Sequence, residues 1–141
     1  MTRKSRRAPA GREAHSAPRL GAVQMRIMQV LWQREAATAR EITDALNGTR
    51  DAPTIAHSTV QTLLRQLEDK GAVAHDVDGR AWVFHAVYRR SEVAVSATRD
   101  LLARVFGDSV SGLMAHLLQH EKISDKELAR LREMIEEASR P

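Results

Sequence analysis

The stretch from Ser58 to Leu67 constrains the fold of this chain more strongly than any other. Its apolar residues recur at the spacing i, i+3, i+4 and i+7, which places them along one side of a helix. These residues are Val60, Leu63, Leu64 and Leu67. The opposite side carries hydroxyl, amide and guanidinium groups, in the order Ser58, Thr59, Gln61, Thr62, Arg65 and Gln66. Such groups hydrogen-bond to base edges and phosphates, so the pattern predicts a helix that presents its polar side to an anionic partner.

A β-hairpin pattern follows this helix. Two β-prone runs cover residues 72–77 and 80–85, and Asp78-Gly79 stands between them. An Asp-Gly pair between such runs predicts a two-residue turn, with Arg80 at its tip. The same turn predicts one face of the hairpin packed on the helices, formed by Val73, Trp82 and Phe84.

Two helical patterns precede the opening stretch. The first runs from about Ala22 to Arg34, with Gly21 as its N-cap. The second begins at the capping box Thr38–Glu41 and ends at Asn47-Gly48. The order helix, helix, helix, strand, strand predicts a winged helix-turn-helix. In that fold the third helix enters the major groove of DNA, and the hairpin reaches the adjoining backbone.

Three more helical segments follow residue 89, and serines at positions 91, 109 and 124 are their predicted N-caps. Each segment has a wide apolar side, whereas three short helices bury little surface by themselves. Association across a two-fold axis would cover these sides and present two recognition helices to a pseudo-palindromic site. The alternative is a monomer whose last helices fold back on the winged domain. The predicted dimer residues are Leu101, Leu102, Val105, Leu113, Leu117, Leu131 and Ile135.

The predicted fold is therefore mainly α with a small β-hairpin, in three parts. These are a disordered basic tail at residues 1–19, a winged-helix DNA-binding domain at 20–88 and a helical dimerisation domain at 89–141. The tail holds six basic residues and one acid, so the rest of the chain has a net charge of −1 within the total of +4. The tail is either an arm that follows DNA phosphates or a dispensable solubilising extension. Because the ordered part has no positive surplus, specific contacts must carry much of the recognition.

Composition excludes several classes of protein. The chain has no cysteine, which excludes thiolate metal centres, cysteine nucleophiles and disulfides. No apolar run reaches the roughly 18 residues of a membrane span, and no signal-peptide pattern is present, so we expect a soluble cytoplasmic protein. His116 and His120 are spaced i, i+4 and could face one metal ion, but they lack the glutamate of a metalloprotease motif. We expect no enzyme activity, no cofactor and no metal.

The predicted DNA contacts follow from the winged-helix pose. The N-terminal half of the recognition helix meets the bases, and Arg65 lies one turn further on. The predicted hairpin is the wing of this fold. Arg80 at its tip contacts phosphate or the minor groove, and His75 is a further candidate. The alternatives are a merely solvated helix side, or a winged helix that serves as a protein-interaction adaptor. The predicted contact set is Ser58, Thr59, Gln61, Thr62, Arg65 and Arg80.

From Leu20 to about Glu137 the chain resembles the BlaI/MecI penicillinase-repressor family of bacterial transcription regulators. The resemblance rests on an ordered set of segments: Met28–Trp32, Thr59–Leu64, Lys70-Gly71, Gly79–Phe84 and Ser124–Leu128. It implies a homodimeric repressor with an N-terminal winged helix and an intertwined C-terminal dimerisation region. Such repressors bind double-stranded operators with TACA/TGTA-like inverted repeats. The expected targets are β-lactamase-type or stress-response genes.

The resemblance also implies how repression is relieved. In the family, a membrane sensor-protease pathway leads to cleavage early in the first C-terminal helix, at the bond that corresponds to Asp100-Leu101. The family pattern at that bond is Asn-Phe, and this chain departs from it. A second departure is Gln66, since the family usually has arginine before the leucine of the recognition helix. Here the arginine is Arg65, one place earlier, which moves the guanidinium around the helix.

Overall fold

The computed structural model describes residues 17–48 and 53–141, so most of the predicted basic tail lies outside the described residues. The described residues divide into two compact units, and the boundary between the units lies between Arg99 and Asp100. The domain boundaries after residues 19 and 88 stay predictions. Within the first unit, Ala17 and Val93 are buried, and the Ser96 hydroxyl donates to the Ala17 carbonyl at 3.1 Å.

The described residues form six helices and three strands. In chain order these are α1 (Ala22–Arg34), β1 (Ala37–Thr38), α2 (Ala39–Asn47), α3 (His57–Asp69), β2 (Val73–Asp78), β3 (Ala81–Ala86), α4 (Arg90–Val105), α5 (Val110–His120) and α6 (Asp125–Ser139). The strands form one antiparallel sheet in the order β1-β3-β2. This architecture confirms the predicted fold class. No single helix of the described part is long and apolar enough to cross a membrane, and only α4 and α5 together, as a bent pair, meet that test.

Strand β1 is absent from the sequence prediction. It consists of Ala37 and Thr38, which pair with Phe84 and Val83 of β3. Two residues are too few to show an alternating pattern. Because Thr38 is also the N-cap of α2, this short pairing attaches the start of α2 to the hairpin.

Side-chain caps begin three of the helices as predicted. The Thr38 hydroxyl accepts from the Glu41 N–H at 3.1 Å, and the Glu41 carboxylate accepts from the Thr38 N–H at 2.9 Å. The bonds from the backbone and the side chain of Thr38 hold the pKa of the exposed Glu41 carboxyl below its ordinary value. Ser109 and Ser124 likewise accept backbone N–H groups at the starts of α5 and α6.

Helix α4 begins differently from the prediction. Its first residue is Arg90, so the predicted N-cap Ser91 already lies inside the helix. The Glu92 carboxylate accepts from the Arg89 N–H at 2.9 Å, which is the reciprocal half of a capping box. The start of α4 is therefore capped by the carboxylate of Glu92, three residues after Arg89, and not by the hydroxyl of Ser91.

The turn between β2 and β3 lies one residue later than predicted. Asp78 pairs with Ala81, so the two central residues are Gly79 and Arg80. Gly79 has φ 64°, and a type II′ turn needs a positive φ at its first central position, which favours glycine. Moving the turn by one residue shifts the strand pairing by two residues. The two faces of the hairpin therefore keep their predicted side chains, and Arg80 stays at the tip.

The inner face of the hairpin is only partly covered by the helices. Val73 and Phe84 are buried, as predicted. Trp82 is 53% exposed, so the expectation that it packs on the helices is wrong. Its indole instead stacks on His75 of the neighbouring strand, with ring centroids 3.7 Å apart.

The core of the first unit lies between the first three helices and the sheet. Its largest fully buried side chains are Ile27, Met28, Leu31, Ile42, Val60, Leu64, Leu67 and Val73. Three of these belong to the predicted apolar side of α3, and Leu63, the fourth residue of that side, is half-buried. The spacing in the sequence therefore identified the buried side of α3 correctly.

The second unit, residues 100–141, contains no buried residue. Large apolar side chains are exposed along it, namely Leu101, Val105, Val110, Leu118, Met134 and Ile135. A unit that leaves so many large apolar groups in water has unused surface for association.

Candidate nucleic-acid interface

Helix α3 presents its polar side to solvent. All predicted contact residues on this helix are exposed: Ser58, Thr59, Gln61, Thr62 and Arg65. Arg80 is exposed as well, in the turn between β2 and β3. The Thr62 hydroxyl donates to the Ser58 carbonyl at 3.1 Å. Its oxygen therefore remains available as an acceptor for the amino groups of adenine or cytosine.

Side-chain contacts hold the start of α3 in place. The Thr43 hydroxyl donates to the Ala39 carbonyl at 2.8 Å and lies 3.0 Å from Nδ1 of His57. Because the Thr43 proton is used by that carbonyl, His57 Nδ1 is the donor to Thr43. The Asn47 amide bonds both backbone groups of Ile55, at 2.9 and 2.7 Å. These contacts fix the helix end at which base contacts are predicted.

Gln66 of α3 is bonded to α1. Gln24 Nε2 donates to Gln66 Oε1 at 3.1 Å. Gln24 Oε1 accepts from Lys70 Nζ and from the Gly21 N–H, both at 3.0 Å. Gln24 is 7% exposed, so its amide needs these protein partners. Residue 66 therefore helps to join the start of α1 to the end of α3.

A cavity of about 420 Å³ lies between the start of α2, helix α3 and the hairpin, and we call it the wing groove. Three elements contribute guanidinium groups to its lining: Arg40 from α2, Arg65 from α3 and Arg80 from the turn. The remaining side chains that matter here are Gln61, Leu64, Glu68, Asp69, Trp82 and Phe84. Positive groups from three elements beside a polar helix can hold a strand of the DNA backbone. Ser58, Thr59 and Thr62 do not line this groove.

Arg40 is a candidate contact that the sequence prediction lacks. It is exposed and is the second residue of α2. In the sequence, the Thr38–Glu41 capping box explained this segment as the start of a helix. Arg40 takes no part in the capping bonds, so it had no assigned role. A cation in the first turn opposes the helix dipole. An unfavourable charge at this position, next to the recognition helix, was the available signal of an anionic partner.

The remaining predicted site residues lie in the second unit. The predicted cleavage bond, Asp100-Leu101, lies inside α4, and Arg104 Nη1 is 3.9 Å from the Asp100 carboxylate. Of the predicted dimer residues, Leu101, Val105 and Ile135 are exposed. The half-buried ones are Leu102, Leu113, Leu117 and Leu131.

The histidine pair of α5 gives little support to a metal site. The ring centroids of His116 and His120 are 4.4 Å apart, and the Phe106 ring lies 5.6 Å from His116. Within residues 17–48 and 53–141, no three His, Cys, Asp or Glu side chains are grouped to hold a metal ion. This helix supplies two imidazoles, fewer than the three or four protein ligands of zinc sites.

Known proteins resemble this chain over most of its length. The family model of the penicillinase repressor matches residues 20–137. The penicillinase repressor of Bacillus licheniformis is 24% identical over 120 residues, which cover 85% of this chain and 91% of that protein. The transcriptional regulator BlaI of Mycobacterium tuberculosis is 33% identical over 120 residues, which cover 84% of each protein.

A solved structure shares the fold. The complex structure of hsRosR-S4 has a TM-score of 0.52 and 19% sequence identity, and the match covers 90% of this chain and 96% of that chain. That likeness concerns the fold alone. The family match reaches from α1 to α6 and names a family of non-enzymatic transcriptional repressors that bind operator DNA. This chain therefore belongs to the penicillinase repressor (BlaI/MecI) family.

Proposed function

We propose that this chain acts in the cytoplasm as a homodimer that represses transcription from a pseudo-palindromic operator, with α3 in the major groove. One observation carries the proposal. The exposed polar side of α3 lies opposite its buried apolar side and beside a groove lined by three arginines. The regulated genes that the family resemblance favours are of the β-lactamase or stress-response type.

Base recognition is assigned to the first half of α3. The Gln61 amide can bond the adenine N6 and N7 atoms together, and the Thr62 oxygen can accept from an amino group. Ser58 and Thr59, exposed in the first turn, lie where recognition helices approach base edges. Both residues offer hydroxyls that can donate and accept.

Backbone contacts are assigned to the arginines of the wing groove. Arg65 and Arg80 face the groove from α3 and from the turn, and Arg40 faces it from α2. Guanidinium groups bond phosphate oxygens in a bidentate manner and fix the register of a protein on the duplex. A phosphate strand between α3 and the wing would meet all three.

Dimerisation is assigned to residues 100–141. Exposed apolar side chains along this unit favour a second copy as the covering surface. A dimer would present two recognition helices about 34–36 Å apart, or a multiple of that distance, to the two halves of the operator.

Relief of repression is assigned to the peptide bond between Asp100 and Leu101, downstream of a membrane sensor-protease pathway. The bond lies in the interior of α4, where the backbone is hydrogen-bonded. A protease binds extended chain, so cleavage here requires local unwinding of α4. Cutting at this point would separate the winged domain from residues 101–141.

A selection experiment tests the proposed function. The full chain, mixed with a random duplex library, is expected to enrich a pseudo-palindrome. Affinity for the selected duplex should fall steeply with salt, with a log–log slope of about −0.9 for each phosphate neutralised and several units in total. Failure to enrich any sequence would contradict the repressor function and support a protein-interaction adaptor.

Two alanine variants separate base contacts from backbone contacts. Gln61→Ala is expected to cost roughly 1–3 kcal/mol on the selected duplex and to relax the preference at one base pair. Arg80→Ala should weaken all duplexes alike and reduce the salt slope by about one unit. Fluorescence anisotropy on the selected and on single-mismatch duplexes measures both effects. Gln33→Ala, at an exposed glutamine of α1, is the control and should change neither.

A further inference from the structure

His75 of β2 connects the wing to the recognition helix. Its Nδ1 lies 2.6 Å from the Glu68 carboxylate of α3, and the two side chains are 14% and 26% exposed. Its ring stacks on Trp82, with centroids 3.7 Å apart and an angle of 6° between the planes. Phe84 lies 5.6 Å away on the same face of the hairpin. The imidazole is thus held on its edge by a carboxylate and on its face by an indole.

The location of Glu68 makes this contact relevant to DNA. Glu68 and Trp82 both line the wing groove, where the proposed function places a phosphate strand. A carboxylate beside phosphates is repelled unless a positive charge compensates it. His75 is the hydrogen-bonded partner of Glu68 that can supply such a charge, since imidazole changes charge between about pH 5 and 8.

Two contacts would support a charged imidazole once a duplex is bound. A cationic Nδ1–H donates to the carboxylate as a charge-assisted bond, which is stronger than a neutral one. A cation over the face of an indole is stabilised by the electron density of the ring. The charged and titratable groups around this pair line the same groove. The basic ones are Arg40 on α2, His57 and Arg65 on α3, and Arg80 in the turn, and the acidic ones are Glu68 and Asp69 on α3.

We propose that His75 is a positioning residue for DNA binding, which holds the wing against α3 through Glu68 and takes up a proton when a duplex fills the wing groove. The proposal rests on the proposed function. Arrival of phosphates favours the cation on His75, and the cation in turn secures the wing that contacts the phosphates. By linkage, the two effects are reciprocal.

The sign of the pH dependence follows from this linkage. The DNA-bound state holds more protons than the free state, so affinity rises as the pH falls. Uptake of one proton changes affinity by at most about tenfold per pH unit per protomer. We expect the full chain to bind the selected duplex about 3-fold to 10-fold more tightly per protomer at pH 6 than at pH 7.5.

The test compares three variants at constant ionic strength. His75→Asn places an amide nitrogen near the Nδ1 position but cannot take up a proton, and it should remove the pH dependence. Glu68→Gln should reduce it, because the compensated charge is gone. His85→Asn is the matched control. His85 lies on β3 on the opposite face of the hairpin, with Nδ1 3.8 Å from Asp76, and its replacement should preserve the dependence.

Calorimetry provides a readout that needs no variant. Binding of the unaltered chain to the selected duplex, measured in two buffers of different ionisation enthalpy, counts the protons taken up. A positive uptake that Glu68→Gln reduces supports the proposal. Zero proton uptake would overturn the proposal. A pH dependence of affinity that persists in His75→Asn would also overturn it, as would one that is removed by His57→Asn and not by His75→Asn. A library that yields no selected duplex contradicts the proposed function itself, which distinguishes the two failures.

Discussion

Replacement of Val105 and Ile135 together by aspartate is expected to convert the proposed dimer into a monomer. Affinity for the selected full duplex should then fall by about 10²–10⁴-fold, because one protomer loses the effective concentration supplied by the other. The two side chains are 66% and 61% exposed in the single chain. Carboxylates therefore cost little within one protomer, but they are strongly unfavourable inside an apolar contact between two copies.

A matched control separates the dimer contact from the added charge. Ala103→Asp with Ala129→Asp introduces the same two carboxylates at exposed positions of α4 and α6. The helical period places these alanines away from the apolar sides of their helices. Light scattering at micromolar concentration should show a dimer for the control and a monomer for the Val105/Ile135 variant. Both proteins should bind a half-site duplex equally well.

Two results would contradict the assigned dimer surface. One is a charged variant that remains dimeric, which would place the contact elsewhere. The other is a monomeric variant that still binds the full duplex as tightly as the unaltered chain. That second result would mean that the two operator halves are read without cooperation between protomers.

The buried and exposed sides of the recognition helix could be predicted from the sequence, because the buried residues of a helix are apolar and recur at the helical spacing. Val60, Leu64 and Leu67 recur at the helical spacing and are buried in the structure. The start of α2 was predictable for a similar reason, since the Thr38–Glu41 capping box is a local arrangement of four residues. Both signals depend only on residues that are close together in the sequence, so they can be recognised without the folded structure.

The hairpin turn was less predictable, because two turns compete at the same place. Asp78-Gly79 satisfies a type I′ turn, and Gly79-Arg80 satisfies a type II′ turn with glycine first. The choice depends on which residues of the two strands pair. In the structure, Asp78 extends β2 and pairs with Ala81. The sequence of the turn alone contains no information on that pairing.

Contacts between distant segments account for what the sequence missed in the site. Gln24 and Gln66 are 42 residues apart, and each is an ordinary surface residue type. The pairing of Glu68 with His75 joins a helix to a strand, and no helical or strand period relates the two. Arg40 lines the groove from the start of α2, a segment that β1 attaches to the hairpin. Such placements require the folded chain.

Leu67→Ala is expected to lower the free energy of unfolding of the first unit by about 2–5 kcal/mol. Leu67 is fully buried near the end of α3, so the change removes apolar contacts and leaves a cavity. Leu63→Ala is the matched control on the same helix. Leu63 is half-buried, so truncation there creates less empty space and should cost less. Urea denaturation of both variants measures the difference.

Tryptophan fluorescence makes this measurement specific to the first unit, since Trp32 and Trp82 both lie within residues 1–99. At temperatures where Leu67→Ala is still folded, it should bind the selected duplex with nearly unchanged affinity, because its polar contact groups are intact. Equal destabilisation by the two substitutions would contradict the assigned burial of α3. A large loss of affinity in folded Leu67→Ala would mean that the end of α3 positions the base contacts at its start. The apolar side of the helix would then contribute to recognition indirectly, through the position of those contacts.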